Sequence, residues 1–482
     1  MARKEKEIII DGIDKREVGY YSTPSFIAKY LTEAMLAIFP DGNRVLDPAV
    51  GKEELLPYFY RAGKSIDSID IIDWGQPKRY SAFSQCNFID YYAEMKNSGK
   101  VASYDYFIAN PPYNCHEISY IKENKKKLKA LFPVGAYNMY SMFLSAMIDI
   151  AQEGSVIGVI ICDSFLTSKY HEKLRQQIFE SCSIHQLILC PSDLFWSEEA
   201  DVRTCILVLQ KGTKYQGKIK VSNRPSNTSE LKEILESKRL KEVDIQNIRL
   251  GDSKDLNQII IDVDDSIVSL FYSYPKLGSL FPCVTCISTG NDSKYLSLSK
   301  REGFSVPFYK NPASRKFVAT PDAYLIDNYL DESQRVKDFM VRNKQYLTKE
   351  GIACSSMGLP FSAVYLPSNA VTGVNPTIFP PEKDINWLIA YLNSSLVTYL
   401  IRGVLIRSNM VTSGYVSNLP VLPFTDEEKR SLDEITDGVR KNRISVKDAV
   451  SRADTIIFRK GLFGESVIST LREFSQKLSL SV

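Results

Sequence analysis

The sequence predicts an α/β fold: an open sheet wound with helices, followed by a second domain of mixed α+β character and a helical end. Three observations carry this reading. Strand-like apolar runs alternate with helix-like segments from Thr23 to Gln210, the pattern of a mostly parallel sheet covered by helices. One run, Tyr106-Phe107-Ile108-Ala109, stops at Asn110-Pro111-Pro112-Tyr113, because two consecutive prolines donate nothing to a sheet ladder. The chain has 482 residues, more than one hydrophobic core supports, so two or three domains are expected.

The first element is a helix over 25–39. Thr23 is a good N-cap and Pro24 a good first helical residue, and Ile27, Leu31, Ala34, Met35 and Ile38 recur at helical spacing. The free N–H groups at its start could receive a carboxylate. A short strand then leads into Asp47-Pro48-Ala49-Val50-Gly51 and a helix ending near Gly63. Strand, acidic residue, glycine turn and helix open a nucleotide-binding βα unit. A second strand spans 65–72, and an acidic residue about 20 positions beyond such a turn can take both hydroxyls of a ribose. Asp70 is the first candidate and Asp73 the second.

Residues 86–90 read as the third strand and its exit, placing Asn87 and Phe88 where an adenine ring could be hydrogen-bonded and sandwiched. The strand 106–109 is the fourth. A basic run follows at 122–129, then a helix over 142–151, a buried fifth strand over 155–161, and strands at 186–190 and 204–210 flanking Asp193-Leu194-Phe195-Trp196-Ser197.

The loop after the fourth strand has a definite chemistry. Asn110 brings a side-chain carbonyl, Pro111 and Pro112 bring carbonyls without N–H groups, and Tyr113 brings a flat ring. Two acceptors beside an aromatic platform suit a planar base with an exocyclic amine, such as adenine. Accepting both amine hydrogens favours the pyramidal nitrogen that frees its lone pair, a gain realised mainly in the transition state.

Net charge is only +3, so any nucleic-acid surface must be concentrated on one face. No run approaches the roughly 20 apolar residues of a membrane span, and the start Met1-Ala2-Arg3-Lys4-Glu5-Lys6 lacks a signal-peptide apolar region. A cytoplasmic protein without membrane contact is expected, with reduced thiols among its nine cysteines. Cys283 and Cys286 form a Cys-x-x-Cys pair, but the only histidines are His116, His171 and His185, so core thiols are expected there rather than a zinc site.

The order of these motifs resembles the γ-class DNA adenine-N6 methyltransferases of restriction-modification systems, most specifically over 19–210. The resemblance implies a class I methyltransferase fold with a Rossmann-like mixed seven-stranded sheet, S-adenosylmethionine as cofactor, and duplex DNA as partner. It also allows a cognate restriction endonuclease or specificity subunit. It assigns Thr23, with Pro24 behind it, to the methionine part of the cofactor. The loop Asp47, Pro48, Ala49 and Gly51 follows as a cofactor loop, with Asp70 at the ribose and Asn87 and Phe88 at the cofactor's adenine. Asn110, Pro111, Pro112 and Tyr113 become the catalytic tetrad, Asn110 also bordering the cofactor. Phe195 stacks on the other face of the extruded base. No metal is implied, because a sulfonium is already an activated electrophile.

Two positions depart from the family pattern. Glu53 stands where a second glycine is usual and would crowd or repel the cofactor's carboxylate. Asn87 stands where aspartate is usual, which removes a charge but keeps an acceptor for an amine. RNA-base and protein-glutamine methyltransferases share the Asn-Pro-Pro-Tyr chemistry, and a non-catalytic DNA-binding protein with this fold is a further alternative.

The expected domains are a catalytic one over 1–222, a polar connection over 223–265 with a helix at 231–240, a target-recognition domain over 266–425, and a helical segment over 426–482. In the recognition domain Lys294, Lys300, Arg301, Lys310, Arg315 and Lys316 outnumber Asp292 and Glu302. They are interleaved with Tyr295, Phe304, Phe308 and Tyr309, a candidate DNA-facing surface. Of these cations Lys294, Lys310, Arg315 and Lys316 are the expected DNA contacts.

Overall fold

The computed structural model describes residues 9–10, 13–14, 20–74, 78–99, 102–113, 118–195, 202–212, 217–250, 258–261, 263–406 and 410–480. The chain divides into two compact units, 1–262 and 263–482.

The first unit is built on one sheet. Its strands are β1 (Arg44–Asp47), β2 (Ser65–Asp70), β3 (Ala82–Gln85), β4 (Tyr106–Ala109), β5 (Val156–Cys162), β6 (Cys182–Leu189), β7 (Thr204–Lys211), β8 (Ile219–Ser222) and β9 (Lys241–Val243). They lie in the order β9-β8-β6-β7-β5-β4-β1-β2-β3. β3, β2, β1, β4 and β5 run parallel, and β7 inserts antiparallel between β5 and β6. The expected mixed sheet is therefore present, and it is two strands wider than seven. Of the extra pair, β8 falls at the end of the expected catalytic domain and β9 within the segment expected to be a connection. Ile219 and Val221 point inward while Lys220 is exposed, so the stretch alternates as a strand. It pairs parallel to β6 and antiparallel to β9. The helix between them spans Thr228–Glu236, not 231–240.

Strand order reverses between β1 and β4, the place where open α/β sheets hold ligands beyond the carboxyl ends of their strands. β4 is buried over its whole length, as a central parallel strand should be. Helix α1 (Ser25–Ile38) packs close to β5 because Gly158 has no side chain; a Cβ there would lie 2.4 Å from the sulfur of Met35.

The segment 86–90 is not a strand. β3 ends at Gln85, and Asn87 caps helix α2 (Phe88–Ser98) by accepting from the Ile89 N–H at 2.9 Å. The apolar pair Phe88-Ile89 reads equally as strand or helix start, and the asparagine cap with Asp90 in the first turn decides it. Likewise Pro24 sits at the N-cap of α1 with no side-chain cap bond. The Thr23 hydroxyl is used elsewhere.

Helix α3 (Met139–Ile150) carries Tyr140, whose hydroxyl lies 3.0 Å from Nε2 of His171. Burial, with Arg175 adding to it, lowers the histidine pKa to about 3. The unfolded chain, titrating near 6.5, therefore takes the proton first. Stability present above that pH is lost as pH falls towards the folded value, by about 2 kcal/mol from this group between pH 7 and 5. His171→Gln is expected to flatten that part of the pH dependence in urea titrations.

The second unit contains two four-stranded sheets. One runs Cys283–Val284, Thr377–Ile378, Gly351–Cys354, Ala363–Leu366; the other Leu296–Ser297, Ala323–Leu325, Val306–Tyr309, Val371–Thr372. The buried helix Glu382–Leu392 follows, then Asp426–Arg440, Val446–Gly461 and Glu465–Leu480. The first of these last three starts with a capping box of Thr425 and Glu428. Cys283 and Cys286 are free thiols, and burial pushes Cys283 up to about 12. Among the described residues no single helix is long and apolar enough to cross a membrane.

Candidate active site

A cavity opens at the carboxyl ends of β1, β2 and β4. Pro48, Ala49, Asp70, Asn87, Phe88, Asn110 and Pro112 line it, together with Tyr20, Trp74, Tyr120 and Phe143. Of the sequence-predicted cofactor residues, Pro48, Ala49, Asp70, Asn87, Phe88 and Asn110 are thus brought together around one hollow; Thr23, Pro24, Asp47 and Gly51 do not line it, nor does Asp73, which is exposed. Tyr20, Trp74 and Tyr120 were not foreseen. Their signal was faint: single aromatic residues in segments adjoining the motifs.

The loop after β1 is held from inside. Asp47 is buried and accepts from the Ala49 N–H at 3.1 Å; burial holds its carboxyl well above the usual range. Asp70 accepts from Gly51 N–H at 2.9 Å and Ile72 N–H at 3.0 Å, which stitches the end of β2 to the glycine turn. Burial raises its pKa too. Each oxygen keeps a lone pair for a further donor, as a ribose hydroxyl would be. Gly51 has φ of +52°, and a Cβ there would meet the Tyr20 ring at 2.7 Å, so the turn admits glycine only.

Glu53 does not crowd this loop. It too has a positive φ, 64°, and its buried carboxylate accepts from Arg79 N–H at 2.7 Å, Tyr80 N–H at 3.2 Å and Ser81 Oγ at 2.7 Å. Those three bonds offset the strain of a left-handed glutamate and keep its charge on the 79–81 segment. The carboxylate near the turn is that of Glu54, which accepts from the hydroxyls of Tyr20 and Ser22.

Asn110 is fixed through its amine. Nδ2 donates to the Tyr21 carbonyl at 2.8 Å and to Thr23 Oγ1 at 3.0 Å. These two acceptors settle which end of the amide is which, so Oδ1 points the other way and accepts from the Tyr113 hydroxyl. The Ile160 carbonyl lies 3.2 Å from that hydroxyl. Thr23, expected at the cofactor, therefore reaches the asparagine first.

Tyr113 and Phe195 are both buried. Their centroids lie 6.1 Å apart and their planes cross at 62°. Tyr21 stacks on Tyr113 at 5.2 Å and 18° and touches Phe195 at 5.6 Å. The two rings expected to sandwich a base meet edge to face, with a third ring against both. Trp196 and Ser197 lie outside the described residues, as does His116.

In the second unit the expected cations separate. Lys294 and Lys310 are exposed, the latter paired with Asp292. Lys316 is buried, its Nζ donating to the Asn393 carbonyl at 2.8 Å, and burial lowers its pKa to about 8. Arg315 is half-buried, spanning the carbonyls of Asn311, Pro312 and Thr320 and the Asp322 carboxylate. Both side chains are thus engaged within the unit, Lys316 buried and Arg315 with part of its guanidinium still open to solvent.

A family model described as N-6 DNA Methylase matches residues 12–258. The chain is 27% identical to the Type II methyltransferase M.BanIII of Aneurinibacillus aneurinilyticus, over 36% of this chain and 36% of that protein. To the Type II methyltransferase M.BsuBI of Bacillus subtilis it is 26% identical, over 45% of this chain and 37% of that protein. The matched region thus spans little more than a third of the length of these curated relatives. The chain resembles the type IIL restriction-modification enzyme MmeI in complex with DNA, with a TM-score of 0.60 at 10% identity over 98% of this chain and 80% of that one. It also resembles a DrdV–DNA complex, with a TM-score of 0.59 at 11% identity over 89% and 58%. At these identities the likeness is one of fold.

Proposed function

The chain belongs to the N-6 DNA methylase family, and on that premise we propose that it transfers a methyl group from S-adenosylmethionine to N6 of an adenine turned out of duplex DNA, within a restriction-modification setting. The observation that carries this is the fixed amide of Asn110: with its amine held by Tyr21 and Thr23, it offers an oxygen acceptor beside the cavity that Asp70 and Asn87 line.

The donor set fits the cofactor. Asp70 would take the ribose hydroxyls and Phe88 the face of the adenine, and the buried indole N–H of Trp74 has no partner among the described residues. Bound there, S-adenosylmethionine supplies a methyl group on a sulfonium, an electrophile that needs no metal. The protein's own contribution is positional. Asn110 Oδ1 and the Pro111 carbonyl accept from the amine of the target base and orient its lone pair. For this the Tyr113 hydroxyl leaves Asn110, and the base replaces ring-to-ring contacts among Tyr21, Tyr113 and Phe195 with ring-to-base contacts. Stacking of about 1–3 kcal/mol per base offsets much of the few kcal/mol spent on unpairing. In the second unit, Lys294 and Lys310 remain as candidate phosphate contacts.

The test is methyl transfer from labelled S-adenosylmethionine to unmethylated DNA, RNA and protein extract in parallel. Label in DNA adenine is expected; label confined to RNA or protein would move the substrate while keeping the Asn110 chemistry, and no label with no cofactor binding would make the chain a non-catalytic binder.

Thr23 gives a sharper prediction. Thr23→Val removes one acceptor from the Asn110 amine, about 1 kcal/mol of orientation, so transfer should fall roughly five- to tenfold with cofactor affinity unchanged and Thr23→Ser restoring it. A raised KM for the cofactor with kcat intact would return Thr23 to the methionine subsite.

A further inference from the structure

We propose that the adenine end of the cofactor cavity presents hydrogen-bond donors, Asn87 Nδ2 and the Tyr120 hydroxyl, and so binds an acceptor edge of the nucleoside base rather than its exocyclic amine. The inference rests on the cofactor reading above and deepens it.

The orientation of Asn87 is fixed by α2. A helix cap needs an acceptor facing the backbone N–H, and Oδ1 fills that role for Ile89 at 2.9 Å. Turning the amide over would set NH2 against N–H. Nδ2 must therefore point away from the helix, and it donates to the Tyr120 hydroxyl at 3.1 Å. A phenol that accepts there has its own hydrogen to give, and no acceptor among the described residues takes it. Both residues line the cavity beside Phe88 and Phe143, whose ring centroids lie 5.0 Å apart. A flat base resting near Phe88 thus meets two donors at its edge. An aspartate at position 87 would cap the helix with one oxygen and leave the other as an acceptor. Asparagine inverts that polarity, and Tyr120 extends it.

The polarity predicts a selectivity. Adenine offers ring-nitrogen acceptors but also an amine, whereas hypoxanthine replaces the amine with a carbonyl oxygen. A site built to accept from the amine rejects the oxo analogue strongly, because a buried acceptor is left facing another acceptor. Donors aimed at N7 and the 6-oxygen tolerate it, since the hydrogen that hypoxanthine carries on N1 then faces neither of them.

The experiment is calorimetric titration of the full chain with S-adenosylhomocysteine and S-inosylhomocysteine. Wild type is expected to bind the two within about tenfold of each other. Asn87→Asp should shift the ratio towards the adenine ligand by about tenfold or more, an effect that a general loss of folding cannot produce. Tyr120→Phe should weaken both ligands about five- to tenfold without lowering the Tm of the unliganded chain. A ratio unchanged by Asn87→Asp, or affinities unchanged by Tyr120→Phe, overturns the inference while leaving the cofactor site in place. Failure of wild type to bind either ligand overturns the cofactor reading and this inference together.

Discussion

Asn110→Ala is expected to lower the rate of methyl transfer by about 10²- to 10³-fold while DNA affinity stays near wild type. The side chain is half-buried at the end of a fully buried strand, so its loss removes chemistry and little packing. Three hydrogen bonds go with it, those to Tyr21 and Thr23 and the one from the Tyr113 hydroxyl, at a stability cost of about 1–3 kcal/mol. The Tyr113 hydroxyl keeps the Ile160 carbonyl 3.2 Å away. Alanine leaves the Pro111 carbonyl as an acceptor, so the amine of the base is bound at one point and turns about it, and the loss falls on kcat rather than on binding. Asn110→Asp makes a useful companion. It keeps an acceptor towards the base but sets an oxygen against the Tyr21 carbonyl, so intermediate activity is expected. Single-turnover transfer and duplex binding measured side by side decide the matter. Transfer within tenfold of wild type in Asn110→Ala would remove the asparagine from the chemistry.

Much of this site was legible in the chain because its chemistry is local. Asn110 to Tyr113, Asp47 to Gly51 and Asp70 sit at strand ends, and strand ends in a parallel sheet converge on one edge. What sequence could not give was where side chains turn. Glu53 looked like a charge aimed at the cofactor, but its partners are the backbone N–H groups of Arg79 and Tyr80 and the Ser81 hydroxyl, invisible without the fold. Lys316 sat in a basic run and is nonetheless buried, because charge count along a chain does not say which face a residue takes. Residues 86–90 misled for a different reason: a short apolar pair carries no period, and only the cap bond of Asn87 separates helix from strand. The two added strands were hidden by brevity, four and three residues long.

The second large effect expected is on stability: Arg224→Ala should destabilise the first unit by about 3–5 kcal/mol. Asp163 is fully buried where β5 ends, and the Arg224 guanidinium pairs with its carboxylate while also donating to the Cys190 carbonyl. One side chain therefore ties together the carboxyl ends of β5, β6 and β8. Removing it takes one counter-charge from a buried carboxylate, which costs more than the pair contributes over an apolar replacement. Asp163→Leu combined with Arg224→Met should accordingly recover most of the loss, and Arg224→Lys only part, since an ammonium cannot serve carboxylate and carbonyl with one planar fork. Urea unfolding followed by circular dichroism measures all three. The consequence reaches the chemistry, because Asp163 lies three residues beyond Ile160, whose carbonyl faces the Tyr113 hydroxyl. Loosening this end of β5 should lower methyl transfer in Arg224→Ala at temperatures below its melting transition, and Asp163→Leu/Arg224→Met should restore both properties together. A loss under about 1 kcal/mol would mean that the carboxylate draws its compensation from other neighbours.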